Sequence, residues 1–138
     1  MIVPHKSFRI SYSSEQQRKT IERLLKTLKS GTQSIHCKTS GSTGTPKRIK
    51  LTKNALVTSA KNTIEFFNLK PKQTATLCMS VDFIAGKMIL VRAMLAGMHL
   101  HVVPVKADLS EDLMPCDFLA LFPKQIPVSY THLRAHET

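Results

Sequence analysis

Apolar positions along the chain change their period several times, and each change marks an element. Phe8 and Ile10 alternate with polar neighbours near the N-terminus, which suits a short strand. Ile21, Leu24, Leu25 and Leu28 then recur three and four apart, the spacing of one helix face. Ser13 or Ser14 is placed to cap that helix with Glu15 in its first turn, and Gly31 to end it as a left-handed residue. Ile35 and Cys37 alternate with polar neighbours over Ser34–Lys38, and Ile49 and Leu51 alternate with Arg48 and Lys50, so both stretches read as strands. Thr52 is placed to cap a helix over Lys53–Phe67, with Leu56, Ala60, Ile64 and Phe67 as its buried stripe. A turn over Asn68–Lys72, containing Pro71, leads into a short apolar strand, Ala75–Met79. Ser80–Phe83 is a loop, Ile84–Ala96 a strongly apolar helix stopped by Gly97, and Leu100–Val103 another strand. A polar connection over Lys106–Pro115 precedes a last strand candidate, Asp117–Phe122.

Strand, helix, strand, helix, strand is the order of a mainly parallel sheet flanked by helices, so the expected fold class is α/β. Ligands in such sheets sit beyond the carboxyl ends of the strands, which is where Ser80–Phe83 should lie. The 138 residues suffice for one domain with a modest core. No apolar run reaches the length of a membrane span and the N-terminus has no signal-peptide apolar stretch, so a cytoplasmic protein is expected. The formal charge of +11 raises nucleic acid as a partner. The basic residues are scattered, however, between the first predicted helix and the 39–50 region, without an aromatic-interleaved stripe or zinc-finger spacing. Attraction for nucleotide phosphates, or acidic partners lying elsewhere in a longer protein, accounts for the same charge. Cys37, Cys78 and Cys116 are odd in number and widely spaced, and read as small buried residues rather than metal ligands or disulfides.

One stretch carries chemistry: Thr39-Ser40-Gly41-Ser42-Thr43-Gly44-Thr45-Pro46-Lys47. Its glycines let the backbone reach positive φ and approach a ligand closely, and consecutive loop N–H groups can converge on an anion. Its hydroxyls add rotatable donors, and Lys47 adds a compact positive charge. A Walker A loop is excluded, because counting from Gly41 puts Pro46 where its second glycine belongs and Arg48 where its hydroxyl belongs. The dinucleotide spacing Gly-x-Gly-x-x-Gly is absent too. A flexible polar linker would leave the closing Pro-Lys and the strand-like flanks without a reason.

The whole stretch from Thr39 to Lys47 resembles the phosphate-binding loop of the adenylate-forming superfamily, which includes acyl-CoA ligases and the adenylation domains of peptide synthetases. The resemblance implies that Thr39, Ser40, Gly41, Ser42, Thr43, Gly44, Thr45, Pro46 and Lys47 bind the β- and γ-phosphates of ATP. It implies a partial N-terminal subdomain of that fold, a phosphate loop set between two strands, and ATP, Mg2+ and CoA as the parent enzyme's cofactors. Such enzymes activate a carboxylate as an acyl-adenylate, release pyrophosphate and pass the acyl group to CoA. The later adenine-binding and magnesium-binding motifs and the C-terminal domain with its lysine have no counterpart here, so no metal ligand and no catalytic residue is assigned.

Asp82-Phe83-Ile84-Ala85-Gly86-Lys87-Met88, running on to Val91-Arg92-Ala93, is similar to a segment of the short o-succinylbenzoate–CoA ligases of menaquinone biosynthesis. There the segment borders the acyl pocket, which makes Asp82, Phe83, Gly86, Lys87 and Arg92 candidate substrate-pocket residues. Many acyl-CoA ligases have a histidine where this chain has Phe83, and Phe83 serves equally well as core. Lys87 and Arg92 could attract a dianionic substrate or simply extend their charged ends to solvent. Small-molecule carboxylate, with o-succinylbenzoate favoured, ATP and CoA are thus the expected partners. Other readings are a different adenylate-forming ligase, a non-catalytic nucleotide-binding module, or a small basic nucleic-acid-binding domain.

Val128–Thr138 breaks the pattern and resembles the read-through translation of a transposon-based sequencing adapter. The expected organisation is a partial AMP-binding domain over 1–127 and a non-native tail over 128–138. His132 and His136 are four apart, but the zinc pattern His-Glu-x-x-His needs glutamate where Leu133 stands.

Overall fold

The computed structural model describes residues 1–39, 44–121 and 125. Strand β1 (Arg9–Tyr12) is followed by helix α1 (Arg18–Lys29) and by the strands β2 (Ser34–Thr39) and β3 (Lys47–Thr52). Helix α2 (Lys53–Phe67), strand β4 (Thr74–Leu77), helix α3 (Ile84–Ala96), strand β5 (His99–Val102) and the short β6 (Phe118–Leu119) complete the order. Four strands form a sheet in the order β1-β5-β4-β6, and every pairing in it is parallel. β4, α3 and β5 make one parallel crossover unit. β2 and β3 form a separate antiparallel hairpin.

Helix α3 sits at the centre. Met88, Ile89, Leu90, Val91, Ala93 and Met94 are all buried, and they cover the whole circumference of the helix rather than one stripe. A helix apolar all round belongs inside. It packs between α2 and the strands β4 and β5. Gly97 ends it in the left-handed region, with φ +76°. The α1 face of Ile21 and Leu28 is buried, with Leu24 and Leu25 packed against the same core. Thr52 caps α2 as the sequence implies, its hydroxyl accepting from the Ala55 N–H at 3.1 Å. A second, smaller cluster gathers Cys78, Val103, Leu109 and Leu113.

Several local expectations are corrected. Neither Ser13 nor Ser14 caps α1. The Ser13 hydroxyl donates to the Val102 carbonyl at 3.2 Å, and the Ser14 hydroxyl accepts from the Gln16 N–H at 3.2 Å, one turn too early. Gly31 does not end α1 in a left-handed conformation. Ser30 leaves the helix extended, with φ −74° and ψ 172°. The buried ammonium of Lys53 instead donates to the carbonyls of Thr27 at 2.6 Å and Ser30 at 2.7 Å. A cation at a helix C-terminus satisfies its free carbonyls and complements their partial negative charge. Phe67 is not part of the buried stripe of α2: it is 56% exposed, stacked edge-on between Phe66 and Phe118. The stripe Leu56–Ala60–Ile64 has by then rotated past it. Strands β4 and β5 are each shifted by a residue or two from their expected limits, and β6 is much shorter, with Phe122 outside the described residues.

Lys53→Met should lower the unfolding free energy by about 1–3 kcal/mol, because the C-terminal carbonyls of α1 lose their donor, as read from urea midpoints. Cys78 is fully buried, and burial pushes its thiol up to about 11 from 9.0. A raised thiol pKa stabilises the fold below the unfolded value and loses that stabilisation as pH rises through the folded one. Unfolding midpoints should therefore fall from pH 9 to 11 more steeply in the wild type than in Cys78→Ala. At pH 8 iodoacetamide should modify the half-exposed Cys116 first, as mass spectrometry of the native protein would show.

Candidate functional site

The β2–β3 hairpin positions the phosphate-loop candidates. Its rungs run from Ser34–Thr52 through Ile35–Leu51, His36–Lys50, Cys37–Ile49 and Lys38–Arg48 to Thr39–Lys47. The first and last residues of the nine-residue motif are therefore paired directly across the hairpin, and the loop is the hairpin's own connection. Ser40, Gly41, Ser42 and Thr43 lie outside the described residues. Gly44 takes φ +82°, with open space where a side chain would stand. Gly44, Thr45, Pro46 and Lys47 are exposed. A positive-φ glycine, an open approach and an exposed lysine fit a polyphosphate chemically.

The hairpin is tied to the parallel sheet at the carboxyl end of β4. The Lys38 N–H donates to the Asp82 carbonyl at 2.9 Å, and Lys38 and Phe83 form a parallel bridge. A two-stranded hairpin alone is marginal, so this attachment fixes it. Ser80–Phe83 is held in turn by Gln17. The Gln17 side-chain amide donates to the Met79 carbonyl at 2.9 Å and accepts from the Val81 N–H at 3.1 Å. The Ser80 carbonyl is also the reason for Gly86, where an added Cβ would stand 2.2 Å from the Ser80 oxygen and 2.7 Å from its carbon.

Between hairpin and α3 lies a cleft of about 220 Å³ lined by His36, Cys37, Lys38, Arg48, Asp82 and Lys87. Of the candidate pocket residues, Asp82 and Lys87 reach it. Phe83 is half-buried and stands at the N-cap position of α3, Gly86 packs on the Ser80 carbonyl, and Arg92 lies further along the helix. Lys87 is buried, and its ammonium donates to the Val81 carbonyl. Burial pushes its pKa below the ordinary lysine value, opposed by Cys37 and Asp82 and reinforced by Lys38. Burial raises the Cys37 thiol, and Lys87 opposes that rise. Burial likewise lowers Arg92, whose buried Nε has no hydrogen-bond partner among the described residues. Sequence reasoning missed His36, Lys38 and Arg48 as cleft residues and Gln17 as a brace. Only strand alternation could have placed His36, Lys38, Arg48 and Lys50 on a common face. Among the described residues no three His, Cys, Asp or Glu side chains are grouped to hold a metal ion. No described helix is long and apolar enough to cross a membrane.

An α/β domain with a parallel sheet and a hydroxyl- and glycine-rich loop on a separate hairpin is, in part, the adenylate-forming domain. The chain belongs to the AMP-binding enzyme family, whose pattern matches residues 8–128. The acyl-CoA synthetase (AMP-forming)/AMP-acid ligase II-like protein from Dyadobacter fermentans is similar in structure, with a TM-score of 0.72 and 34% identity over 81% of this chain. A variant of E. coli MenE with bound OSB-AMS shares the fold, with a TM-score of 0.58 and 22% identity over 75% of this chain. The chain spans 34% of the first protein and 22% of the second. No curated protein sequence matches it.

Gly86→Ala should cost about 1–3 kcal/mol of stability, because the new methyl group meets rigid backbone. Gly31→Ala, where nothing lies within 4 Å and φ is not positive, should be neutral or mildly stabilising. Equal urea midpoints for the two variants would contradict the packing role of Gly86.

Proposed function

We propose that the chain is part of an ATP-dependent, AMP-forming acyl-CoA ligase. The parent enzyme converts a carboxylate and ATP to an acyl-adenylate and pyrophosphate, then forms the CoA thioester. The observation that carries this reading is the complete Thr39–Lys47 motif in a hairpin closed by the Thr39–Lys47 rung, in a chain of the AMP-binding family. In this role Ser40–Thr45 offer backbone N–H groups and hydroxyls to the β- and γ-phosphates, and Lys47 adds charge. Positioning and charge neutralisation are the main means of assisting reaction at a nucleotide phosphate. The full enzyme would use ATP, Mg2+ and CoA and work in the cytoplasm.

For the acyl group we favour o-succinylbenzoate, supported by the Asp82–Ala93 segment and by the fold shared with MenE. On this reading Asp82, Phe83, Gly86, Lys87 and Arg92 border the acyl pocket, directly or by shaping the turn beside it. Residues 1–127 are the AMP-binding portion, and 128–138 are adapter-encoded. The isolated chain is not expected to catalyse the reaction, since it contains no counterpart of the family's adenine-binding motif or catalytic lysine.

The test is pyrophosphate release from ATP in the presence of o-succinylbenzoate and CoA, measured on the intact gene product and on the 138-residue chain. The intact enzyme should release pyrophosphate, and Lys47→Ala should slow it by roughly 10²–10³-fold. Release by the 138-residue chain above its Lys47→Ala control would refute its inactivity. An intact enzyme that needs a different carboxylate would refute the acyl assignment alone.

A further inference from the structure

The outer face of the hairpin carries three cations, Lys38, Arg48 and Lys50, and His36 on two alternate rungs. His36 faces Lys50, Lys38 faces Arg48, and all four are exposed. The opposite face, with Ile35, Cys37, Ile49 and Leu51, turns toward the protein. Like charges directly opposite each other across an antiparallel pair are destabilising. Among the described residues none of the four is in an ion pair. Elsewhere the chain does pair exposed cations, as Arg18 with Glu15 at 3.0 Å and Lys106 with Asp112 at 2.8 Å. The hairpin thus holds concentrated positive charge without an internal partner.

This charge borders a concavity. Three of the cleft's six lining residues, His36, Lys38 and Arg48, belong to the outer face, the last two as cations, and Lys87 adds a buried ammonium. Asp82 is the acidic member of the lining, so an anion would sit toward the Lys38–Arg48 side. The volume of about 220 Å³ suits one or two phosphate groups better than a drug-sized ligand. Arg48 supplies a planar fork that can bind a phosphate through two parallel hydrogen bonds, and Lys38 a point charge.

We propose that the outer face of the β2–β3 hairpin and the cleft beside it form a second phosphate-binding subsite, centred on Lys38 and Arg48 and distinct from the Thr39–Lys47 loop. The cation cluster stands without any assumption about the reaction, and only the choice of phosphate as the anion rests on the ligase reading. Two sources present that chemistry: the polyphosphate of ATP and the 3′,5′-bisphosphorylated nucleotide end of CoA.

The test titrates inorganic pyrophosphate, adenosine 3′,5′-bisphosphate and succinate into the 138-residue chain by calorimetry, in a Lys47→Ala background. Pyrophosphate or the bisphosphate should still bind in that background, and adding Lys38→Thr and Arg48→Thr should weaken it by about tenfold or more. The added substitutions should also raise the melting temperature without ligand, because the like-charge rung is removed. The same rise reports that the variant folds. Preference for the bisphosphate identifies the CoA end, and preference for pyrophosphate the ATP end. Binding abolished by Lys47→Ala alone, or unchanged by the two added substitutions, would overturn the subsite. Succinate binding as tightly as either phosphate would overturn the choice of anion. An intact enzyme without ligase activity, but with this binding preserved, would refute the ligase reading and leave the subsite standing.

Discussion

The buried amide of Gln17 fixes how the first helix meets the parallel sheet. It joins the start of α1 to the carboxyl end of β4 through hydrogen bonds to Met79 and Val81. A buried amide that bonds backbone on both sides holds that backbone in one register, since slipping either residue would leave buried polar groups unpaired. The placement of the next few residues depends on this brace. The Ser80 carbonyl lies against Gly86 in the first turn of α3, and the Asp82 carbonyl accepts from the Lys38 N–H. The hairpin that holds the phosphate-loop candidates is therefore attached to a strand end whose own position is fixed from α1.

Cations are used in two different ways. Lys53 and Lys87 are buried, and each has its ammonium on backbone carbonyls, Lys53 at the end of α1 and Lys87 at Val81. A buried ammonium is tolerable only when its donors are satisfied. Both residues knit segments together by side-chain-to-backbone bonds. Lys38, Arg48 and Lys50 instead stay at the surface beside one another, and they supply the local part of the chain's positive excess.

Hydrophobic period made the helices legible. The stripe of α1, the Thr52 cap of α2 and the strongly apolar run of α3 ended by Gly97 all follow local rules that the structure obeys. The failures share a cause. α1 lacks both its expected serine cap and its expected glycine stop because residues far away in sequence, Gln17's partners at Met79 and Val81 and the ammonium of Lys53, organise its ends. No local rule sees such contacts. Phe67 misled because a stripe extrapolated by one more turn leaves the buried side of a helix, and here an edge strand supplies Phe118 for it to stack on. The candidate site divides the same way. A contiguous motif was readable as sequence, whereas the cleft draws on β2, β3 and α3 and emerges only when topology brings them together.

Under the proposed function, setting a phosphate loop on a hairpin has an electrostatic consequence. In loops that open a helix, the helix N-terminus contributes partial positive charge and free N–H groups to the anion. A hairpin has no such dipole, because strand dipoles alternate and largely cancel. Polyphosphate held there must be neutralised by side-chain cations and by N–H groups of the loop itself. Adjacent rungs lie about 3.3 Å apart along the strands, so the Lys38–Arg48 rung directly adjoins the Thr39–Lys47 rung that closes the loop, with its side chains on the opposite face. Under the proposed function, like-charge strain across β2 and β3 is the structural cost of placing cations where no helix can help. Ligand binding relieves that strain, so it should tighten the hairpin as well as neutralise the phosphate.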